Sequence, residues 1–117
     1  GKQLFIFTIT DFTDTIGVKI FAKEEAVEDL KKYNFTKSFL GTNGIEPSVG
    51  CTTPDVEEAV MKMEAKNRSM ITFVLADHTK FDKVFAISVC EVQDACIIAD
   101  KLKNKIFSEL TVIKEVL

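Results

Sequence analysis

Residues 71–76, Ile-Thr-Phe-Val-Leu-Ala, are apolar apart from Thr72 and run straight into the polar stretch Asp-His-Thr-Lys at 77–80. A strand with one wet face alternates apolar and polar residues. A continuous apolar run is instead the pattern of a strand buried on both faces of a parallel sheet. Parallel neighbours are joined by crossovers of about a dozen residues or more, usually helical. This one run therefore predicts a chain that alternates strands and helices. Residues 4–9, 35–40, 84–89, 95–99 and 111–116 read as the other strands. Residues 16–33 show helical spacing, with Ile20, Ala22, Ala26, Val27, Leu30 and Tyr33 on one side and Lys23, Glu24, Glu28 and Lys31 on the other. Turn and capping residues at 11–15 precede this helix and Asn34 suits its stop. Residues 101–110 form a further helix with Leu102, Ile106, Phe107 and Leu110 inward. The order implies an α/β class, a mainly parallel sheet flanked by helices, in one domain over residues 1–117.

The corner at residues 41–62 is where such a sheet would carry a site. It leaves the strand at 35–40, holds three of the chain's five glycines and enters a helix. Ligands of open α/β sheets sit outside the carboxyl ends of strands, at corners of this kind. Residues 42–52 read as a loop containing Asn43-Gly44, a pair suited to positive φ. Thr53 is placed as N-cap, with Pro54 first in the helix and Asp55 in its first turn. Val56, Ala59, Val60 and Met63 then give an inward stripe in a helix running to about residue 66.

The glycines match neither a P-loop nor a G-x-G-x-x-G turn, and on spacing alone they make a tight strand exit. The polar residues beside them say more. Asn43, Thr52 and Thr53 can bond hydroxyls or phosphate oxygens. The helix start offers free N–H groups to an anion, but Asp55, Glu57 and Glu58 already load that turn and repel a phosphate. At the second corner, Asp77 ends the buried run and Lys80 follows it, well placed for a sugar phosphate or a carboxylate. His78, the single histidine, reads as a surface or hydrogen-bonded residue, and Cys51 as a small buried one.

Charge excludes some partners. Fifteen Lys+Arg against eighteen Asp+Glu leave a net charge of −3 with no basic cluster, so this stretch does not grip a duplex itself. Three cysteines without C-x-x-C spacing, and one histidine, fit free thiols in a reducing, cytoplasmic setting better than zinc. No stretch reaches the roughly 18–20 apolar residues of a membrane span, and no signal peptide opens the chain. No cofactor or metal is expected.

Three segments taken together carry a resemblance: Phe-Leu-Gly-Thr-Asn-Gly-Ile at 39–45; Gly-Cys-Thr-Thr-Pro-Asp-Val-Glu-Glu-Ala at 50–59 followed by Lys62; and Val-Leu-Ala-Asp-His-Thr-Lys-Phe at 74–81. They resemble the effector-binding half of DeoR-family transcriptional regulators, over roughly residues 35–117. Within that family the look is of repressors of sugar phosphotransferase operons, of the lactose or fructose kind. The resemblance implies the fold of ribose-5-phosphate isomerase and glucosamine-6-phosphate deaminase, here truncated at its N-terminal side. It also implies a sensor that binds a phosphorylated sugar (a hexose phosphate) and changes the grip of a winged helix-turn-helix, absent from residues 1–117, on operator DNA. Matching positions make Thr42, Asn43, Thr52, Thr53, Glu58, Asp77 and Lys80 the ligand contacts, with no catalytic residue and no metal ligand. Operator-binding regulators are commonly symmetric, so a homo-oligomer is expected.

The alternative is a sugar-phosphate isomerase or deaminase of the same fold. Such chemistry needs a base with a tuned pKa. Asn43, at the glycine turn, is an amide that takes up no proton at neutral pH, although Asp77 and Glu58 could serve. The expectation is a sensor and not an enzyme.

Overall fold

The computed structural model describes the backbone of residues 2–6 and, in full, residues 28 and 30–116. The expected turn at 11–15, the end of the first strand at 7–9 and most of the helix at 16–33 lie outside the described residues. Strands β1 (Lys2–Ile6), β2 (Phe35–Gly41), β5 (Ser69–Ala76), β7 (Cys96–Ala99) and β8 (Ile113–Glu115) form one sheet in that order, and every pair in it is parallel. β3 (Gly44–Glu46), β4 (Gly50–Thr53) and β6 (Ile87–Cys90) form a second, antiparallel sheet. Two helices complete the described elements, α1 (Val56–Asn67) and α2 (Ile106–Leu110), with 3-10 turns at His78–Lys80 and Val92–Asp94. The α/β class with a mainly parallel sheet is as the sequence implies.

The second sheet is the main departure. The expected loop at 42–52 is a hairpin: Glu46 Oε2 accepts from Ser48 N and Val49 N (3.0 and 2.9 Å) and from the Ser48 hydroxyl (2.7 Å), which closes its turn. Gly50 sits at φ 91°, and a Cβ there would lie 2.1 Å from the Cys90 carbonyl oxygen, so only glycine lets β4 approach β6. The strand expected at 84–89 begins only at Ile87. Before it the Phe85 N–H is drawn out of any ladder to the Thr52 hydroxyl (2.9 Å).

Among the described residues the core lies on one side of the parallel sheet. In β5, Thr72, Val74 and Ala76 are buried while Ile71, Phe73 and Leu75, on the other face, are not fully so. The same alternation runs through β7, where Ile97 and Ala99 are buried and Cys96 and Ile98 are half-buried. Phe39 and Phe73 stack on the more open face, with ring centres 5.1 Å apart. The two-sided burial expected of residues 71–76 is therefore complete on one face only. The crossover from β2 to β5 carries α1, which packs against both strands.

The inward stripe expected on α1 is also displaced. Val56, Val60 and Met63 are 62%, 45% and 41% exposed, whereas Ala59, Lys62 and Ala65 are buried. α1 lies between β4 and β6 on one side and β2 and β5 on the other, and small alanines permit that close approach. The Ala65 carbonyl accepts from the hydroxyls of Ser38 (3.4 Å) and Ser69 (2.6 Å), fixing α1 to the sheet. The helix begins two residues later than expected: Asp55 is the N-cap, its Oδ1 accepting from the N–H groups of Glu57 (2.8 Å) and Glu58 (3.2 Å). Thr53 ends β4 instead. The expected helix at 101–110 is shortened to α2, because earlier N–H groups find partners outside a helix: Lys101 N on Asp100 Oδ1 and Leu102 N on Glu115 Oε1. Leu102 and Phe107 are buried as expected, but Ile106 is exposed.

Phe107→Ala should lower the unfolding free energy by about 3–5 kcal/mol, whereas Val60→Ser should change it by less than about 0.5 kcal/mol. Urea titration of the two variants checks this; a Val60→Ser cost equal to that of the core change would restore the predicted stripe.

Candidate ligand-binding site at the carboxyl ends of the strands

Parallel pairing brings the carboxyl ends of the strands to one edge. Gly41 pairs with Leu75, Ala76 with Ala99, and Ala99 with Glu115. The residues that follow, Thr42, Asp77, Asp100 and Val116, consequently stand side by side. They line a cavity of about 230 Å³ together with Lys80, and its walls are completed by Leu75, Ala76, Ile98 and Ala99. A second cavity of about 240 Å³ lies at the opposite edge, lined among others by Ser69, Met70, Cys96 and Thr111. The carboxyl-end cavity is the one that strand polarity favours for ligands.

Asp77 shapes its corner. In extended conformation it caps the turn His78–Lys80, its Oδ1 accepting from Thr79 N (2.8 Å) and from the Thr79 hydroxyl, while its carbonyl accepts from Lys80 N (3.0 Å). The Thr79 hydroxyl is the main reason the Asp77 carboxyl lies below its ordinary range, and the Lys80 charge acts in the same direction. The turn is pinned from behind by Phe81, which is buried edge-on against Phe107 (5.0 Å) and bridges to Ile45. Asp82, at φ 61°, donates its N–H to the Ile45 carbonyl (2.7 Å), so the hairpin and the turn are held together.

The single histidine faces Asp100. Its N–H donates to Asp100 Oδ1 (2.7 Å) and its Nδ1 lies 2.6 Å from Oδ2, with the Lys101 N–H as a third donor (2.8 Å). An acceptor-only carboxylate opposite fixes the proton on Nδ1. The His78 ring is the leading cause of the lowered Asp100 pKa. Asp100 was not among the residues singled out from the sequence, although a signal existed: Val-Leu-Ala-Asp at 74–77 and Ile-Ile-Ala-Asp at 97–100 end two neighbouring strands in the same way.

Of the seven residues expected to bind ligand, Thr42, Asp77 and Lys80 line this cavity. Of the others, Asn43 leads into β3, Thr52 and Thr53 belong to β4, and Glu58 lies on α1. Thr42 itself is buried, and its hydroxyl donates toward the carbonyls of Gly44 (3.0 Å) and Thr52 (3.3 Å). The Asn43 N–H donates to the Thr52 carbonyl, and Asn43 Oδ1 is buried without a hydrogen-bond partner among the described residues. Thr52 is wholly buried and its hydroxyl accepts from Phe85 N. Thr53 Oγ1, also buried, accepts from Asp55 N (3.3 Å) and donates to Glu58 Oε2 (3.5 Å). Glu58 in turn lies 4.0 Å from Nζ of Lys62, a lysine only 1% exposed. The helical spacing of residues 56–63 gave no sign that a cation would sit on the buried face.

Cys51 and Cys90 face each other across β4 and β6. The thiol contact with Cys90, followed by burial, holds Cys51 above its ordinary pKa, so it is a protonated, inert thiol.

The family model described as the DeoR C-terminal sensor domain matches residues 17–101. The chain belongs to that family. It is 40% identical over 90 residues to a protein of Bacillus subtilis (strain 168) described as an uncharacterized HTH-type transcriptional regulator FruR, covering 74% of this chain and 36% of the relative. It is 35% identical over 54 residues to the HTH-type transcriptional regulator IolR of the same organism, covering 46% of this chain and 22% of that relative. The sensor-domain chain thus spans about a third or less of the length of these relatives.

The carboxyls of Asp77, Asp100 and Glu46 are all lowered, by the Thr79 hydroxyl, the His78 ring and the Ser48 hydroxyl respectively. A lowered folded pKa means the unfolded chain binds more protons, so stability rises with pH through that range. The contribution is present above the ordinary values of 3.8 for aspartate and 4.5 for glutamate and is lost as pH falls through the lower, folded ones. The urea midpoint should therefore drop on acidification below 4.5, and less steeply in Asp100→Asn. A midpoint that rises on acidification contradicts these assignments.

Proposed function

We propose that residues 1–117 are part of the effector-sensing domain of a transcriptional repressor of a sugar-utilisation operon, which binds a phosphorylated sugar and thereby alters its grip on operator DNA. The observation that carries this reading is the convergence of Thr42, from the first corner, with Asp77 and Lys80, from the second, on one cavity at the carboxyl ends of the strands. Membership of a sensor-domain family and similarity to proteins named HTH-type transcriptional regulators support it. Lys80 supplies the ammonium for the anionic ligand and Thr42 and Asp77 contact it, while Asn43, Thr52, Thr53 and Glu58, which do not line the cavity, support this corner from the hairpin and from α1. DNA contact belongs to a winged helix-turn-helix elsewhere in the longer protein, a cytoplasmic homo-oligomer. The sugar is a hexose phosphate of the kind delivered by phosphotransferase uptake, as for lactose or fructose.

A catalytic reading is disfavoured by the same geometry. A general base works best with a pKa raised toward the operating pH, whereas the Asp77 carboxyl is lowered by Thr79 and Lys80.

Full-length protein on its operator should be released by at least one member of a panel of hexose phosphates. Lys80→Ala should raise the concentration needed by about tenfold or more, the loss of one charge-assisted contact. Fluorescence anisotropy of labelled operator DNA measures both. Indifference to every hexose phosphate contradicts the sensor, and turnover of one of them, abolished in Asp77→Asn, restores the enzyme.

A further inference from the structure

The cavity is lined by one ammonium, Lys80, and two carboxylates, Asp77 and Asp100. Asp100 is fixed by three donors: the His78 N–H and Lys101 N–H on Oδ1, and the His78 ring on Oδ2. A carboxylate has about four lone-pair directions, so one acceptor direction remains for a ligand. Its position is set by the turn that also carries Lys80, because His78 and Lys80 belong to the same 3-10 turn.

This charge balance constrains what part of a ligand fits. A phosphate monoester carries about −1.5 to −2 charge at neutral pH. Two carboxylates against one ammonium repel such a group, whereas sugar hydroxyls are donors that ionised carboxylates accept strongly. The apolar walls from Leu75, Ile98 and Val116 suit the carbon face of a sugar. We propose that this cavity reads the hydroxyls of a hexose monophosphate, that Asp100 is its specificity-determining acceptor, and that His78 is the residue that positions Asp100. The phosphate lies on the Lys80 side, away from Asp100. This inference rests on the sugar-phosphate reading above and assigns the part of the ligand that each residue meets.

Isothermal titration of the full-length regulator with fructose 1-phosphate, fructose 6-phosphate, glucose 6-phosphate and inorganic phosphate tests it. For the tightest hexose phosphate, Asp100→Asn should weaken binding about tenfold or more, while inorganic phosphate binds at least as well as to the wild type. His78→Ala should give a smaller loss in the same direction, and His78→Asn, whose amide N–H takes the place of Nδ1–H, should restore affinity. The His78 pair gives this readout in a chain that keeps its carboxylate. The proposal is overturned if Asp100→Asn binds the hexose phosphate as the wild type does, or if hexose phosphate and inorganic phosphate are lost in parallel. A wild type that binds no hexose phosphate at all overturns the sugar-phosphate reading itself, and this one with it.

Discussion

Parallel pairing of β1, β2, β5, β7 and β8 is the constraint on which the rest of the molecule depends. It sends these strands in the same direction, so the ends of β2, β5, β7 and β8 deliver the residues that follow them to one edge. Among the described residues, the crossover from β2 to β5 lays α1 against one face of the sheet. That face is filled by Ala59, Val74, Ala76, Ile97, Ala99 and Phe107. The cavity at the carboxyl edge is thus a consequence of topology, and the chemistry within it is decided by the few side chains at the turns.

What holds those side chains in place is hydrogen bonding more than apolar contact. Asp77 and Asp100 each organise their own corner by accepting from neighbouring N–H groups, and the antiparallel hairpin is tied to the sheet through the threonine hydroxyls. Buried polar groups are costly unless paired. The dense threonine pattern at 42, 52 and 53 is therefore first a way of satisfying backbone carbonyls and N–H groups. Glu58 and Lys62 continue that arrangement beneath the hairpin.

Much of this was legible in the sequence. The apolar run at 71–76 predicted a central parallel strand, and the strand at 35–40 and the helix to about residue 66 stand nearly as expected. Asp77 and Lys80, which line the cavity, were singled out because a polar turn follows a buried strand, which is a local signal. The hairpin at 44–53 was not legible, because three- and four-residue strands carry too little periodicity to be told from a loop. The burial of α1 was misread because apolar spacing identifies a helical face but not what will approach it. A tight site between two sheets selects alanine and even Lys62, and leaves Val60 and Met63 in water. Asp100 was passed over although residues 97–100 repeat the pattern of 74–77, and its pairing with His78, 22 residues away in the chain, shows only once β5 and β7 are side by side.

The central claim is that effector recognition happens at the carboxyl edge of the sheet. Amide chemical shifts of the protein, followed by nuclear magnetic resonance as a binding hexose phosphate is added, test it most directly. The largest changes should fall on Thr42, on Asp77 to Lys80, and on Asp100. Changes concentrated instead on Ser69, Met70, Cys96 and Thr111, around the cavity at the opposite edge, would contradict the account.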